Sequence, residues 1–297
     1  MRLDFGMAAR TSFVAFLFLA HFALPARAGL VALYNFDGGS NGQGLPTSVV
    51  DSGPNGLNGT AYGALTYTTN VASNAAAGTS ALDATGDYNF VKVADSSFMH
   101  TGEFTVEALV NPRYDLPYDG GVVGHDFVNK LNTQAGGNYL SGYQLGYDPN
   151  SKAFYSSVGF SGDNGVLIGS SGQSYDSNHW YDVAETYKHD IGTGNGILTL
   201  YVDGAVVATQ TFAYQNPFYG TDALYIGAGN FSGDNGTYRR NFNGYIDAVR
   251  ITDNALSANE LFSASQVPEP ASIVSSILGV ACVYAGMACK RRRSGVS

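Results

Sequence analysis

Between residues 29 and 262 the chain alternates short β-branched and aromatic runs with clusters of Gly, Asn and Asp. Within these runs apolar residues recur at every second position, as where Leu198, Leu200 and Val202 alternate with Thr199 and Tyr201. This period of two is that of a β-strand with one apolar face, and hardly any of the stretch shows helical periodicity. Many short strands separated by Gly-rich turns predict an all-β sandwich or barrel.

Two turns mark antiparallel hairpins within this pattern. Asp203-Gly204 is a two-residue turn, after which Val206–Phe212 returns as the second arm. Tyr143–Tyr147 and Lys152–Phe160 pair in the same way around Asp148-Pro149-Asn150. Further strands are predicted at Leu30–Phe36, Phe90–Val93, Phe104–Pro112, Tyr181–Tyr187, Leu224–Ala228 and Phe242–Ile251.

One helical turn is predicted after the last strand. Ser257 and Glu260 have the spacing of a capping box, and Leu256 with Leu261 can form a hydrophobic staple across it. We expect this turn to close the domain and residues 263–270 to form a short linker. No boundary is evident inside 29–262, so the sequence predicts one domain there.

An ordered set of motifs resembles the laminin-G-like or concanavalin A-like jelly roll. The motifs are His179-Trp180-Tyr181-Asp182-Val183-Ala184 with Leu198–Gly204, Leu33–Asp37, Asp51–Gly56, Phe104–Ala108 (with Leu109 where the family has Trp), Leu224–Gly227 and Phe242–Ile251. They occur in the family's order across residues 30–262. The resemblance implies two antiparallel sheets packed face to face, and a packing role for Trp180.

The amino-terminal segment, residues 1–28, has the features of a signal peptide. Arg2 and Arg10 form a basic region, and an apolar run from Thr11 to Leu24 follows. This run is shorter than the roughly 20 residues that span a bilayer. The small-x-small sequence ending in Ala28 predicts cleavage before Gly29.

The carboxyl-terminal segment contains a second apolar run. Residues 271–289 carry no charge and are followed by the basic residues 290–293, which predicts a membrane span with a cytoplasmic basic tail at 290–297. Pro268-Glu269-Pro270 directly precedes the run. This order resembles the PEP-CTERM sorting signal of Gram-negative bacteria, which implies cleavage by an exosortase and release to the cell surface or extracellular matrix. An ordinary single-span anchor is the alternative.

The composition of residues 29–267 excludes one class of partner. This part carries 8 basic and 22 acidic residues, a net charge of −14. Nucleic-acid affinity rests mainly on Lys and Arg, so we expect no nucleic-acid binding. Both cysteines, Cys282 and Cys289, lie in the tail. The domain therefore depends on its core for stability, without disulfides.

Two carboxylates are candidate calcium ligands. Asp247 lies among apolar residues in the last predicted strand, where an unpaired carboxylate is costly to bury. The jelly-roll resemblance implies that an Asp at this position holds a structural Ca²⁺ together with backbone oxygens. Asp37, just after the first strand, is the second candidate, and calcium prefers such oxygen ligands. The alternative is that Asp247 pairs with an arginine or caps a turn.

A repeated hexapeptide and several loop aromatics are candidate ligand-binding residues. The sequence Phe-Ser-Gly-Asp-Asn-Gly occurs at 160–165 and again at 231–236. Asn-Gly is favoured at tight hairpin turns, which accounts for both copies structurally, whereas sugar binding would use their Asp and Asn side chains. The resulting ligand candidates are Tyr114, Tyr118, Asp163, Asn164, Asp234, Asn235 and Tyr238, with Tyr139, Phe218 and Tyr219 as further loop aromatics.

Catalytic motifs are lacking in the sequence. Glu103, Glu107, Glu185 and Glu260 are the only glutamates of the exported part, and none has the spacing of a glycosidase pair. We therefore expect a non-enzymatic, calcium-stabilised surface module that binds polysaccharide in the matrix. The alternatives are a structural or adhesive protein that contacts other proteins, and a divergent polysaccharide-degrading enzyme.

Overall fold

The structure is a computed structural model. It describes residues 29–73, 78–86, 88–113, 125–131, 141–161, 164–229 and 241–263. Within these ranges, no helix has the length and apolar character needed to cross a membrane. The predicted signal peptide and membrane span lie outside the described residues.

Sixteen β-strands and two 3₁₀ turns make up the described chain. The strands are β1 (Leu30–Asn35), β2 (Ser48–Val49), β3 (Gly59–Tyr62), β4 (Thr66–Thr68), β5 (Ala81–Asp83), β6 (Phe90–Val93), β7 (Phe104–Pro112), β8 (His125–Asn129), β9 (Gly142–Asp148), β10 (Ala153–Phe160), β11 (Asn164–Gly169), β12 (Tyr181–Asp190), β13 (Asn195–Val202), β14 (Ala205–Ala213), β15 (Leu224–Ile226) and β16 (Gly244–Thr252). The 3₁₀ turns are Ser97–Met99 and Ala258–Glu260.

The strands form two antiparallel sheets of eight. The first sheet has the order β14-β13-β12-β7-β16-β5-β4, with β1 also paired to β16. The second sheet has the order β11-β10-β9-β8-β15-β6-β3-β2. Apolar side chains from both sheets pack between them, among them the fully buried Tyr34, Phe104, Tyr143, Phe154 and Phe242. The predicted all-β sandwich is therefore confirmed.

The long predicted strands are confirmed, and several short ones are new. Phe90–Val93 and Phe104–Pro112 have the predicted bounds, and both predicted hairpins form. The sequence patterns did not reveal β2 to β5, β8 and β11, because most are short or rich in Ser, Thr and Gly. The expected turn at Asn164-Gly165 is wrong in detail. These residues pair with Phe160 and Gly159 as the first part of β11, so the turn precedes them.

The segment after β16 closes the outer face of the first sheet. Ser257 and Glu260 form the predicted capping box. Leu256 and Leu261 both pack in a small cluster with Ala184 and the partly buried Tyr201. The segment therefore covers apolar surface that β12 and β13 would otherwise expose to water.

One glutamate lies inside the core between the two sheets. Glu185 is fully buried, and its Oε2 accepts a hydrogen bond of 2.7 Å from the Ser156 hydroxyl of the opposite sheet. Its Oε1 has no hydrogen-bond partner among the described residues. Burial in this apolar surrounding raises the pKa of Glu185 well above its usual value.

The raised pKa of Glu185 predicts that this residue lowers the free energy of unfolding at neutral pH. Glu185→Gln should remove this loss of stability. Above about pH 4 the unfolded chain releases the Glu185 proton, whereas the folded state keeps it. This residue therefore makes the protein less stable as the pH rises. We expect the Gln variant to gain about 1 kcal/mol or more at neutral pH and little near pH 4. Urea unfolding across this pH range measures the gain. Glu103→Gln, at a partly exposed site, is the control, and an equal effect of both variants would contradict the account.

Candidate functional site

A tyrosine on the outer face of the second sheet lies between two glycines. In the register of β9 to β11, Tyr155 is paired with Gly146 on one side and Gly169 on the other. Core residues alternate with these positions, so all three lie on the face away from the core. The Tyr155 ring extends over Gly146, where an added Cβ would lie only 2.2 Å from the ring. Gly146 therefore leaves room for the ring to lie against the sheet.

A buried carboxylate on β8, two strands from Tyr155 across β9, fixes the position of this ring. Asp126 of β8, paired with Gly146, is fully buried and accepts hydrogen bonds from the Tyr155 hydroxyl and the Gln144 amide. Its second oxygen accepts a bond of 2.8 Å from Asn129 Nδ2. Gln144 Oε1 in turn accepts a 3.1 Å bond from Ser157. This network preorganises Tyr155 and Gln144 before any ligand arrives.

The half-buried Tyr155 ring forms part of the wall of an open groove, called here the Tyr155 groove. It has a volume of about 520 Å³, within the range of ligand sites. Leu167, whose side chain is 63% exposed, gives it an apolar edge. The lining residues used below are Gln144, Asp148, Tyr155, Leu167, Gly169 and Gln173. An aromatic ring beside amides, a hydroxyl-rich turn and an apolar edge suits a ligand with both apolar faces and hydroxyl groups.

Asp37 and Asp247 form a second site at the end of β1. Asp247 is 3% exposed, and its Oδ2 accepts a 2.7 Å bond from the Ala72 amide. Asp37 Oδ1 accepts bonds of 2.7 Å and 3.3 Å from the amides of Thr79 and Ser80. Burial, and secondarily the negative charge of Asp37, raise the pKa of Asp247 to about 6. The two predicted carboxylates are thus close enough to repel each other.

Comparison with known protein families identifies the fold family. Residues 85–262 match the model of Laminin_G_3, described as the concanavalin A-like lectin/glucanases superfamily. The chain belongs to this superfamily. The match covers more than half of the sequence, so the resemblance expected from the motifs is confirmed. No curated protein matches the chain.

Solved structures with the same superfamily fold are similar to the chain at low sequence identity. The receptor binding domain of botulinum neurotoxin C/D mosaic serotype has a TM-score of 0.55 and 12% identity, with 81% of this chain and 51% of that chain covered. The binding domain of Paraclostridial Mosquitocidal Protein 1 gives 0.54 and 12%, covering 80% and 52%. The chain therefore spans about half the length of these toxin domains.

A smaller neighbour is covered almost entirely. Domain 4 of AbnA, a GH43 extracellular arabinanase from Geobacillus stearothermophilus, was solved in complex with arabinotriose. It has a TM-score of 0.52 and 17% identity, with 80% of this chain and 99% of that chain covered. At these identities the likeness shows the fold alone.

Few of the predicted ligand residues lie within the described ranges. Asn164 begins β11 and is exposed, but it is not part of the Tyr155 groove. The following predicted residues lie outside the described ranges: Tyr114, Tyr118, Tyr139, Asp163, Asp234, Asn235, Tyr238, Ala28, Pro268, Glu269 and Pro270. Phe218 is 49% exposed, and Tyr219 stacks on His100 at 4.9 Å, neither of them lining the groove.

Trp180 has the predicted packing role. It packs with Phe262 against the buried Leu109, Ala72 and Ala248 on the outer face of the first sheet. Its indole N–H donates a 3.1 Å bond to Asn70. Trp180 therefore supports the loop that carries Ala72 and contacts Asp247.

Sequence reasoning missed Tyr155, Gln144 and Asp126. Tyr155 was assigned only to a strand, and Asp126 to no element. The sequence feature that could have revealed them is the glycine that alternates with other residues at the outward-facing positions of β9 and β11. Such glycines within strands indicate a close approach of another group to the backbone.

Proposed function

We propose that this domain is a non-catalytic module that binds polysaccharide in the Tyr155 groove. The observation that carries the proposal is the Tyr155 ring, laid over Gly146 and held by the buried Asp126. A fixed aromatic ring offers stacking area to the C–H face of a sugar at little entropic cost. The exposed side chain of Gln173 and the hydroxyl of Ser151 can bond sugar hydroxyls.

The similarity to the arabinanase domain supports the same proposal. That domain, which this chain covers almost fully, holds an arabino-oligosaccharide in its structure. Asp148 is the only acidic residue that lines the groove, so a pair of carboxylates for glycosidic cleavage is not formed by the lining residues described. We therefore favour binding over hydrolysis.

Replacing Tyr155 by alanine tests this function. We expect the variant to bind oligosaccharide at least tenfold more weakly, about 1.4 kcal/mol, because the stacking surface is lost. Isothermal titration with arabino- and gluco-oligosaccharides measures the change. Tyr62→Ala is the matched control, since Tyr62 is 43% exposed on β3 of the same sheet and does not line the groove. Equal affinities of wild type and Tyr155→Ala would overturn the proposal.

A structural calcium ion at Asp37 and Asp247 is part of the same proposal. Each carboxylate has one oxygen occupied by a backbone amide, and the other is not bonded within the described hydrogen bonds. No group of three or more Asp, Glu, His or Cys side chains is placed to hold a metal ion within the described ranges. The ion would therefore take its remaining oxygens from backbone carbonyls, which calcium accepts. The like negative charge of the two carboxylates, felt at Asp247, would favour a bound cation.

Calcium and protons should compete at Asp247. Because the folded-state pKa of Asp247 is about 6 without the ion, calcium must displace a proton below that pH. We expect saturating calcium to stabilise the protein by about 2–3 kcal/mol near pH 7.5 and much less near pH 5. Thermal unfolding with calcium and with chelator measures this. Asp247→Asn should abolish the response and Asp176→Asn, whose side chain is 86% exposed, should keep it. No calcium response in wild type at either pH would contradict the metal site.

Export to the cell surface or matrix completes the proposal. It rests on the signal-peptide, Pro-Glu-Pro and apolar-tail patterns of the sequence. The amide of Gly29, the expected first residue after cleavage, donates a 2.7 Å bond to the Asp253 carboxylate. An added Cβ at residue 29 would lie 2.5 Å from that carboxylate, so the site is suited to glycine. A free amino group there would pair with Asp253.

A further inference from the structure

The one charged side chain among the described residues that line the Tyr155 groove is acidic. Asp148, in the groove wall, accepts bonds of 2.9 Å from the Asn150 amide and 2.7 Å from the Ser151 hydroxyl. One strand away, the buried Asp126 contacts both Tyr155 and Gln144 of the lining. A ligand on the Tyr155 ring would therefore lie near two carboxyl groups.

No basic side chain balances these carboxyl groups in the wall. Among the described residues that line the groove there is no Lys, Arg or His. Lys152, in the adjoining turn, lies outside the lining, and its amine is 3.9 Å from the Asp176 carboxylate. The wider domain carries a net charge of −14 over residues 29–267, which adds to the negative potential.

An acidic sugar would be poorly held in such a groove. Proteins hold carboxylate or sulfate groups mainly by charge-assisted bonds from Arg and Lys, which the lining lacks. Repulsion by Asp148 in the wall and by the buried Asp126 behind it would add to the cost, and salt screens the more exposed Asp148 more strongly than Asp126.

A neutral sugar finds suitable partners in the same groove. The Tyr155 ring and the exposed Leu167 offer apolar surface to its C–H face. Gln173 Oε1 accepts a bond from the Tyr175 hydroxyl, and no bond of its amide nitrogen is seen among the described residues. That nitrogen is a neutral donor for a sugar hydroxyl.

From these observations we infer that the Tyr155 groove selects neutral polysaccharides and rejects acidic ones. This inference rests on the proposed function and names the ligand class for that site. Such selectivity arises because the site repels the acidic ligand by like charge, as well as because it makes contacts with the neutral one.

Paired glycans test the inference. Isothermal titration of the full-length protein would use neutral arabinan, glucan and mannan oligosaccharides, each beside its carboxymethylated derivative. We expect at least one neutral oligosaccharide to bind, and its carboxymethylated partner to bind at least tenfold more weakly at low salt. The difference should narrow as salt is added.

Two variants locate the selectivity. Asp148→Asn should reduce the difference between neutral and acidic partners, since it removes a groove charge while keeping the turn acceptor. Asp190→Asn, which removes a turn carboxylate on β12 of the first sheet outside the lining, should leave it unchanged. Equal or tighter binding of the acidic partner would overturn the inference while leaving polysaccharide binding intact. Absence of binding to every probe would overturn the proposed function itself.

Discussion

Replacing Arg250 by methionine is expected to lower the free energy of unfolding by about 3–5 kcal/mol, because it leaves a buried carboxylate unpaired. The Arg250 guanidinium is bonded to Glu107, which is fully buried, and donates a 2.9 Å bond to the Glu260 carbonyl. The same guanidinium lies 4.4 Å from the Phe262 ring centroid. Arg250 thus joins β7 to the closing segment after β16.

The electrostatic environment of Glu107 makes this loss severe. Burial and the neighbouring Asp182 carboxyl raise its pKa well above the usual value, while Arg250 and the Phe262 amide oppose that shift. The Phe262 amide donates a 2.5 Å bond to Glu107, and the Ser263 amide donates a 2.6 Å bond to Asp182. Without Arg250 the pKa of Glu107 would rise further, because a group that lowers it is lost. The loss of stability should therefore be smaller near pH 4, where the unfolded chain also begins to bind this proton.

Urea unfolding of matched variants measures this effect. Lys188→Met, at an exposed position of β12 in the same sheet, should change stability by no more than about 0.5 kcal/mol. Adding Glu107→Gln to Arg250→Met should recover part of the loss, since the unpaired charge is removed. A loss of less than about 1 kcal/mol in Arg250→Met would show that the pair does not hold the closing segment.

The second large effect is expected at Asp126. In Asp126→Asn one carboxylate oxygen becomes an amide nitrogen, so at least one of the donors Tyr155, Gln144 and Asn129 loses its acceptor. A buried donor left unsatisfied beside a former charge costs about 3 kcal/mol. We also expect affinity for oligosaccharide to fall at least tenfold, because the Tyr155 ring is no longer held in one orientation.

Two measurements separate the loss of stability from the loss of oligosaccharide affinity in Asp126→Asn. Chemical denaturation gives the stability change, and titration at a temperature where the variant is folded gives the affinity change. Asp176→Asn is the control for both, being an exposed carboxylate outside the lining of the groove. Wild-type affinity in a folded Asp126→Asn protein would remove Asp126 from the positioning of the site.

The strands could be predicted from the sequence where they are long and have one face in the core. Residues 198–202 alternate apolar and polar side chains, and the strand there extends back to Asn195. Phe104–Pro112 has the predicted bounds. The short strand Gly59–Tyr62 gives no such signal, since its pairing with Ser48–Val49 and Phe90–Val93 defines it. The four residues of this strand are too few to show a periodic pattern, so the tertiary contacts decide their conformation.

The two sites differ in how far the sequence revealed them. Asp247 was named from the resemblance to a family and Asp37 from its position just after the first strand. The structure places their charges within reach of each other. The Tyr155 groove depends on a register across three strands that joins Tyr155, Gly146 and Asp126. A register shift of one residue would turn Tyr155 into the core, and no single stretch of sequence specifies that alignment.

The most direct test of a polysaccharide site at Tyr155 is an NMR titration of isotope-labelled protein with arabinotriose and a gluco-oligosaccharide. The account predicts concentration-dependent shifts of the Gly146 and Gly169 amides, which flank Tyr155, and no shift of Gly196 in the first sheet. These shifts should disappear in Tyr155→Ala and persist in Tyr62→Ala. Shifts confined to other surfaces, or unchanged shifts in Tyr155→Ala, would contradict the account.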